Sequence, residues 1–209
     1  MTPDSMVFML AFNTYFGVER PVYALAHSLV TSWPVVGHLA GKWGIVTAGR
    51  KAARSAIERG NSVLVYPGGD IDTHRPWSAR HEIRFDGRKG FLRTAIETGV
   101  PIVPVVSVGG QDTYLPLTDG RKAAKFLKLD KLARLKVLPV SLAVPWGLNV
   151  GDFLGHLPLP AKIRMELLEP IDVKERFGED VDSAYDYVEG RMQESLTALA
   201  ADRVLPPFL

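Results

Sequence analysis

Cysteine is absent from the chain, which excludes disulfide frameworks, thiolate metal centres and a cysteine nucleophile, and fits a reducing compartment. Long apolar runs are absent as well. A membrane-spanning helix needs about 20 consecutive apolar residues, whereas the nearest stretch, residues 137–148 (VLPVSLAVPWGL), is shorter and carries two prolines. The N-terminus has neither the basic start nor the small-residue cleavage site of a signal peptide. A large excess of charge is missing too: the formal net charge is +2, so nothing global points to nucleic acid as a partner. No internal repeat, low-complexity tract or interdomain linker interrupts the chain. With 209 residues, 46% of them hydrophobic, it reads as one soluble or peripheral domain with a substantial core.

Several common site motifs fail on inspection. No GxGxxG follows a strand. Residues 37–42 (GHLAGK) approach a phosphate-binding loop, but one intervening residue is missing and Trp43 stands where Ser or Thr is required. His81-Glu82 begins like a zinc-protease helix, yet Phe85 holds the second histidine's place. Ser107 lacks the first glycine of a GxSxG elbow, Val105 being there. A bound metal is therefore not expected.

Periodicity outlines the elements. An apolar helix covers residues 6–16, entered through Pro3-Asp4-Ser5 with Thr2 or Asp4 as cap. Short strands fall at 21–25 and 44–46, a mixed segment broken at Pro34 and Gly37 lies at 29–39, and 50–59 is a helix closed by Gly60. Residues 63–66 form a buried strand, 87–98 a helix stopped by Gly99, and 101–108 a second buried strand, together a βαβ unit. A lysine-rich amphipathic helix is expected at 121–134, a strand at 162–168 and a long amphipathic helix at 181–199. The fold class is α/β: a single domain with a mixed, mostly parallel central sheet flanked by helices.

The stretch that carries chemistry is SVLVYPGGDIDTHRPW, residues 62–77. The strand breaks on Pro67-Gly68-Gly69, because proline donates no N–H and glycine takes backbone angles other residues avoid. Asp70, Asp72, His74 and Arg75 follow within six positions of the break. In open α/β sheets, sites collect at the carboxyl ends of strands. His27, His38 and His156 lie in apolar or Gly/Pro settings and read as structural.

Val65-Tyr66-Pro67-Gly68-Gly69, followed about 30 residues later by Val100-Pro101-Ile102-Val103-Pro104-Val105, resembles the third and fourth blocks, FPEGT and vPIVPV, of the glycerolipid acyltransferase family, also called the lysophosphatidic acid or phospholipid/glycerol acyltransferase family. The resemblance runs roughly from Asp4 to Asp172. Gly68 stands where the family has glutamate. That version is similar to the branch acting on mono- and diacylglycerols, with Asp72 as the following carboxylate, and it favours a neutral hydroxyl acceptor, lysophospholipids staying open. The resemblance implies a glycerol-phosphate acyltransferase-like fold, transfer from acyl-coenzyme A or an acyl carrier protein to a glycerolipid, no cofactor beyond the acyl-CoA co-substrate, and a place in the cytoplasm on the inner face of a membrane.

The family's first block is His-x4-Asp, in which the histidine acts as general base and the aspartate orients it. Asp4 opens a helix 63 residues before Pro67 and resembles that aspartate, which places the histidine upstream of Met1. Two readings follow: a start set too late in a chain whose N-terminus is cut, or an inactive lipid-binding relic. An unrelated ester hydrolase is a third. HEIRFD, residues 81–86, matches the pattern literally but lies after the third block, where the family binds or packs. The second block usually ends in arginine, which Arg50 of GIVTAGR matches loosely, making it a contact for acceptor or coenzyme A phosphate. Arg75, Arg80, Arg84, Arg88, Lys89 and Arg93 form a basic cluster suited to phosphates or anionic headgroups. The expected site is thus Asp4, Arg50, Tyr66, Pro67, Gly68, Gly69, Asp70, Asp72, His74 and Arg75, with residues 137–159, Trp146, Phe153 and Leu154 included, facing the acyl chain, the membrane or the core.

Overall fold

The computed structural model describes residues 3–27, 31, 34–113, 115–126, 138–145, 147–151 and 157–203. The architecture is α/β. Strands β1 (Val22–Ala26), β2 (Ile45–Thr47) and β3 (Ser62–Leu64) form a parallel sheet in the order β2-β1-β3, with Ala24 opposite both Ile45 and Leu64. Helix α1 (Pro3–Phe16) precedes this sheet, while α2 (Pro34–Lys42) and α3 (Arg50–Glu58) are its crossovers. Pro34 begins α2 rather than breaking it, since the first helical position needs no N–H partner. Gly37 sits inside α2 because a Cβ there would come within 2.3 Å of the Thr31 carbonyl oxygen.

After β3 the chain forms α4 (Gly69–Thr73), a 3-10 turn at Trp77–Ala79, and α5 (Gly90–Thr98). Helix α5 ends as its sequence requires: Gly99 takes a left-handed φ of 67° and donates its N–H to Ala95 O. The next strand, β4 (Val105–Val108), departs from expectation. It pairs antiparallel with β8 (Arg164–Leu167), Val105 opposite Leu167, whereas β3 pairs with β1. The expected βαβ crossover therefore does not return to the same ladder. Pro101 and Pro104 offer no N–H, so regular pairing starts only at Val105.

A third, antiparallel sheet joins β5 (Leu115–Thr118), β6 (Val140–Ala143) and β7 (Gly147–Val150). Helix α6 (Arg121–Phe126) accounts for the start of the lysine-rich helix expected at 121–134; the remainder lies outside the described residues, as do Thr2, Trp146, Phe153, Leu154 and His156. Helices α7 (Val173–Phe177) and α8 (Val181–Ala201) close the chain. Asp180 caps α8 through the Asp182 and Ser183 N–H groups. Leu92 and Ile96 of α5 pack with Phe85, Val173, Ala184 and Val188, and Val106 and Val108 of β4 pack on Leu196 and Leu199. These two clusters anchor α5 and β4 against α8.

Candidate active site at the carboxyl end of the third strand

Strand β3 stops at Leu64, and the chain then turns through Tyr66-Pro67-Gly68-Gly69 into α4. Gly69 N–H donates to Tyr66 O at 3.0 Å, and Gly69 has φ +54°. The Gly69 amide is therefore engaged within the turn itself. Arg88 clamps the turn: its Nη1 donates to Gly68 O at 2.9 Å and to Pro67 O at 3.3 Å. Gly68 has no room for a side chain. A Cβ there would lie 2.2 Å from Arg84 O and 2.4 Å from Asp72 Cβ. The glutamate of FPEGT is sterically incompatible with this backbone path.

The first turn of α1 meets this site. Ser5 is buried, and its hydroxyl hydrogen-bonds that of Tyr66. Asp4 accepts from Ser5 N–H at 2.9 Å, and a Cβ added to Gly110 would sit 3.1 Å from Asp4 Cγ. Burial pushes the Tyr66 hydroxyl far above the ordinary tyrosine range, and the Asp4 and Asp72 charges push it further, against the Ser5 hydrogen bond. Burial likewise raises the Asp72 carboxyl. The Arg75 guanidinium and the Arg84 N–H pull it back down, while Asp4 adds to the rise. Asp4, Tyr66 and Asp72 thus lie within electrostatic reach of one another near the end of β3, a set of groups able to hydrogen-bond a hydroxyl or to orient an imidazole.

The expected residues divide. Asp4, Tyr66, Pro67, Gly68, Gly69, Asp72 and Arg75 come together, with buried Arg75 paired to Asp72. His74 directly follows α4 and is half-buried. The side chain of Asp70 lies outside the described set. Arg50 pairs with Glu97, tying α3 to α5. The basic cluster is largely engaged within the chain: Arg80 faces Asp112, Arg84 pairs with Glu82 and Lys89 with Asp182. His81 is half-buried with Nε2 lacking a hydrogen-bond partner among the described residues.

Sequence reading passed over Ser5 and the 3-10 turn Gly110–Thr113. Gln111 Nε2 donates to Asp72 O at 3.3 Å, reaching into α4. Asp112, 1% exposed, accepts from Trp77 Nε1 at 3.0 Å and from Arg203. A signal existed: Val108-Gly109-Gly110-Gln111-Asp112 repeats the pattern of a buried strand breaking on two glycines before an acid.

A family model described as diacylglycerol acyltransferase matches residues 10–201. The chain belongs to that family. Its relatives include an uncharacterised protein of Mycobacterium bovis, 30% identical over 206 residues that cover 96% of this chain and 55% of that protein. An uncharacterised protein of Mycobacterium leprae is also 30% identical over 206 residues, 96% of this chain and 53% of its own. Diacylglycerol O-acyltransferase 2 of Dictyostelium discoideum is 28% identical over 133 residues, 63% of this chain and 40% of that enzyme. The chain spans about half the length of the mycobacterial relatives it matches. No solved structure matches it. Among the described residues no helix is long and apolar enough to cross a membrane.

Proposed function

We propose that this chain transfers an acyl group from a thioester, acyl-coenzyme A or an acyl carrier protein, to a hydroxyl of a glycerolipid: monoacylglycerol, diacylglycerol or a lysophospholipid. The observation that supports this reading is the meeting of Asp4, Tyr66 and Asp72 at the glycine-gated end of β3 in a diacylglycerol acyltransferase family member. The bare Gly68 and the name carried by the Dictyostelium relative favour a neutral glyceride as acceptor. In the reaction a base takes the acceptor's hydroxyl proton as its oxygen attacks the thioester carbonyl. The tetrahedral intermediate then collapses, the C–S bond breaks, and thiolate leaves without a strong general acid. On the family resemblance the base is the first-block histidine, oriented by Asp4. Tyr66, held protonated, hydrogen-bonds the acceptor oxygen, and the reaction takes place at the cytoplasmic face of a membrane.

The test is transfer of radiolabelled acyl from acyl-coenzyme A to mono- and diacylglycerol, measured for the 209 residues and for a chain extended upstream of Met1. Transfer by the extended chain, reduced about 100-fold or more in Asp4→Asn, supports the assignment. Loss of transfer in His81→Ala with Asp4→Asn unaffected moves the base to residues 81–86 and overturns it. Lipid binding with no transfer by either chain identifies an inactive relic.

A further inference from the structure

Strand β4 ends as β3 does, on two glycines followed by an acid: Gly109-Gly110-Gln111-Asp112 against Gly68-Gly69-Asp70. The two breaks share a second feature. A Cβ on Gly68 would stand 2.4 Å from Asp72 Cβ, and one on Gly110 would stand 3.1 Å from Asp4 Cγ and 3.2 Å from both Asp4 Cβ and Oδ2. Asp72 and Asp4 therefore each lie against a glycine just past the carboxyl end of a strand. At Gly110 the nearest atoms that such a Cβ would meet all belong to Asp4, and φ lies outside the left-handed region. Backbone conformation does not require glycine there. Contact with Asp4 is what a side chain would disturb.

The turn that carries Gly110 is fixed from outside. Gly109 has φ 96°, and a Cβ there would lie 2.1 Å from Lys162 O. Thr113 Oγ1 donates to Gly110 O at 2.6 Å, and Leu159 N–H donates to Thr113 O at 2.9 Å. Buried Asp112 accepts from Trp77 and Arg203. The Asp4 carboxyl is thereby placed on two sides: Oδ1 accepts from Ser5 N–H at 2.9 Å, and Oδ2 lies against Gly110. The next residue reaches the helix that carries the other carboxyl group. Gln111 Nε2 donates to Asp72 O at 3.3 Å and Thr73 O at 3.5 Å. These are the last carbonyls of α4, which have no partner within the helix. One turn thus sets Asp4 directly and Asp72 through its backbone.

We propose that Gly110 and Gln111 are positioning residues for acyl transfer: Gly110 seats the Asp4 carboxyl, and Gln111 fixes α4, and with it Asp72, against the same turn. The inference rests on the acyl-transfer reading, in which Asp4 orients the base. A carboxylate that orients an imidazole works through a hydrogen bond of narrow geometry. A methyl group at position 110 pushes Asp4 aside by a few tenths of an ångström without straining the backbone. Misplacement of that kind costs rate rather than substrate binding.

The test is steady-state transfer of radiolabelled acyl from acyl-coenzyme A to mono- and diacylglycerol, by the 209 residues or the upstream-extended chain, whichever transfers. Gly110→Ala should lower kcat about tenfold with KM for both substrates unchanged. Its melting curve should match or exceed wild type, since alanine restricts the unfolded chain. Against Asp4→Asn the same substitution should cost nothing further, because it acts through the carboxylate already removed. Gly190→Ala in α8, where a Cβ meets nothing within 4 Å, is the control and should transfer as wild type does. Gln111→Met keeps the side chain's length and loses both donors. It should lower kcat several-fold, a loss absent against Asp72→Asn, and it decides the matter alone if Gly110→Ala melts early. A folded variant with wild-type kcat, or a loss that multiplies with that of the carboxylate it acts through, overturns the proposal and leaves the acyl-transfer reading intact. Transfer by neither chain overturns that reading, and the positioning role with it.

Discussion

Gly68 shows how a single missing side chain shapes the candidate site. The turn needs a residue without Cβ because Arg84 O and Asp72 Cβ already occupy that space. Gly68→Glu, which rebuilds FPEGT, is expected to destabilise the fold by about 1–3 kcal/mol, the usual cost of overpacking, rather than to improve activity. Chemical denaturation compared with wild type measures it, and an unchanged midpoint would show that the turn relaxes freely. Gly69 differs, for the obstacle there is the movable Arg88 Nη1, although its positive φ still disfavours a side chain. The PGG sequence was legible as a turn with acids after it. That Gly68 excludes a side chain was not, since Arg84, which closes the space, lies 16 positions along the chain.

At the scale of elements, the 3-10 turn Gly110–Thr113 joins three parts of the molecule. Gly110 touches Asp4 of α1, Gln111 holds the backbone of α4, and Asp112 gathers Trp77, Arg80 and Arg203. Asp112→Ala removes the buried carboxylate that pairs with Arg203 and faces Arg80, and is expected to cost roughly 3–5 kcal/mol in urea unfolding. Pairing it with Arg203→Met should recover part of that loss; a strictly additive double variant would mean the two side chains act independently. Helices α3, α5 and α8 were readable because their apolar periodicity and glycine or aspartate ends are local. Ladder partners were not. Pro101-Ile102-Val103-Pro104 reads as strand from its composition, but its two prolines delay pairing to Val105, and β8, some 60 residues later, takes β4.

Stability against pH is a property of the whole molecule, and His81 contributes to it. Burial chiefly, then Arg80, Arg203 and Arg75, lower its pKa from the ordinary value, with Asp112 opposing them. The unfolded chain therefore binds more protons than the folded one between that lowered value and about 6.5. Over this window stability rises with pH, and it falls as the solution is acidified through it. His81→Gln should flatten this part of the profile, as read from melting temperature between mildly acidic and neutral pH. A profile identical to wild type would show that His81 is not held neutral by the fold.

From the residues alone came the α/β class, helices α1, α3, α5 and α8, the strands of the first sheet and the resemblance to glycerolipid acyltransferases, because each rests on short-range pattern or on a motif contiguous in the chain. Tertiary structure decided that Asp4 reaches the end of β3, that most of the basic cluster pairs within the chain, and that β5–β7 presents its aliphatic row outward. Each is a matter of which side chains meet across long sequence separations, or of which sheet face is covered. Local propensity and alternation carry no information on either.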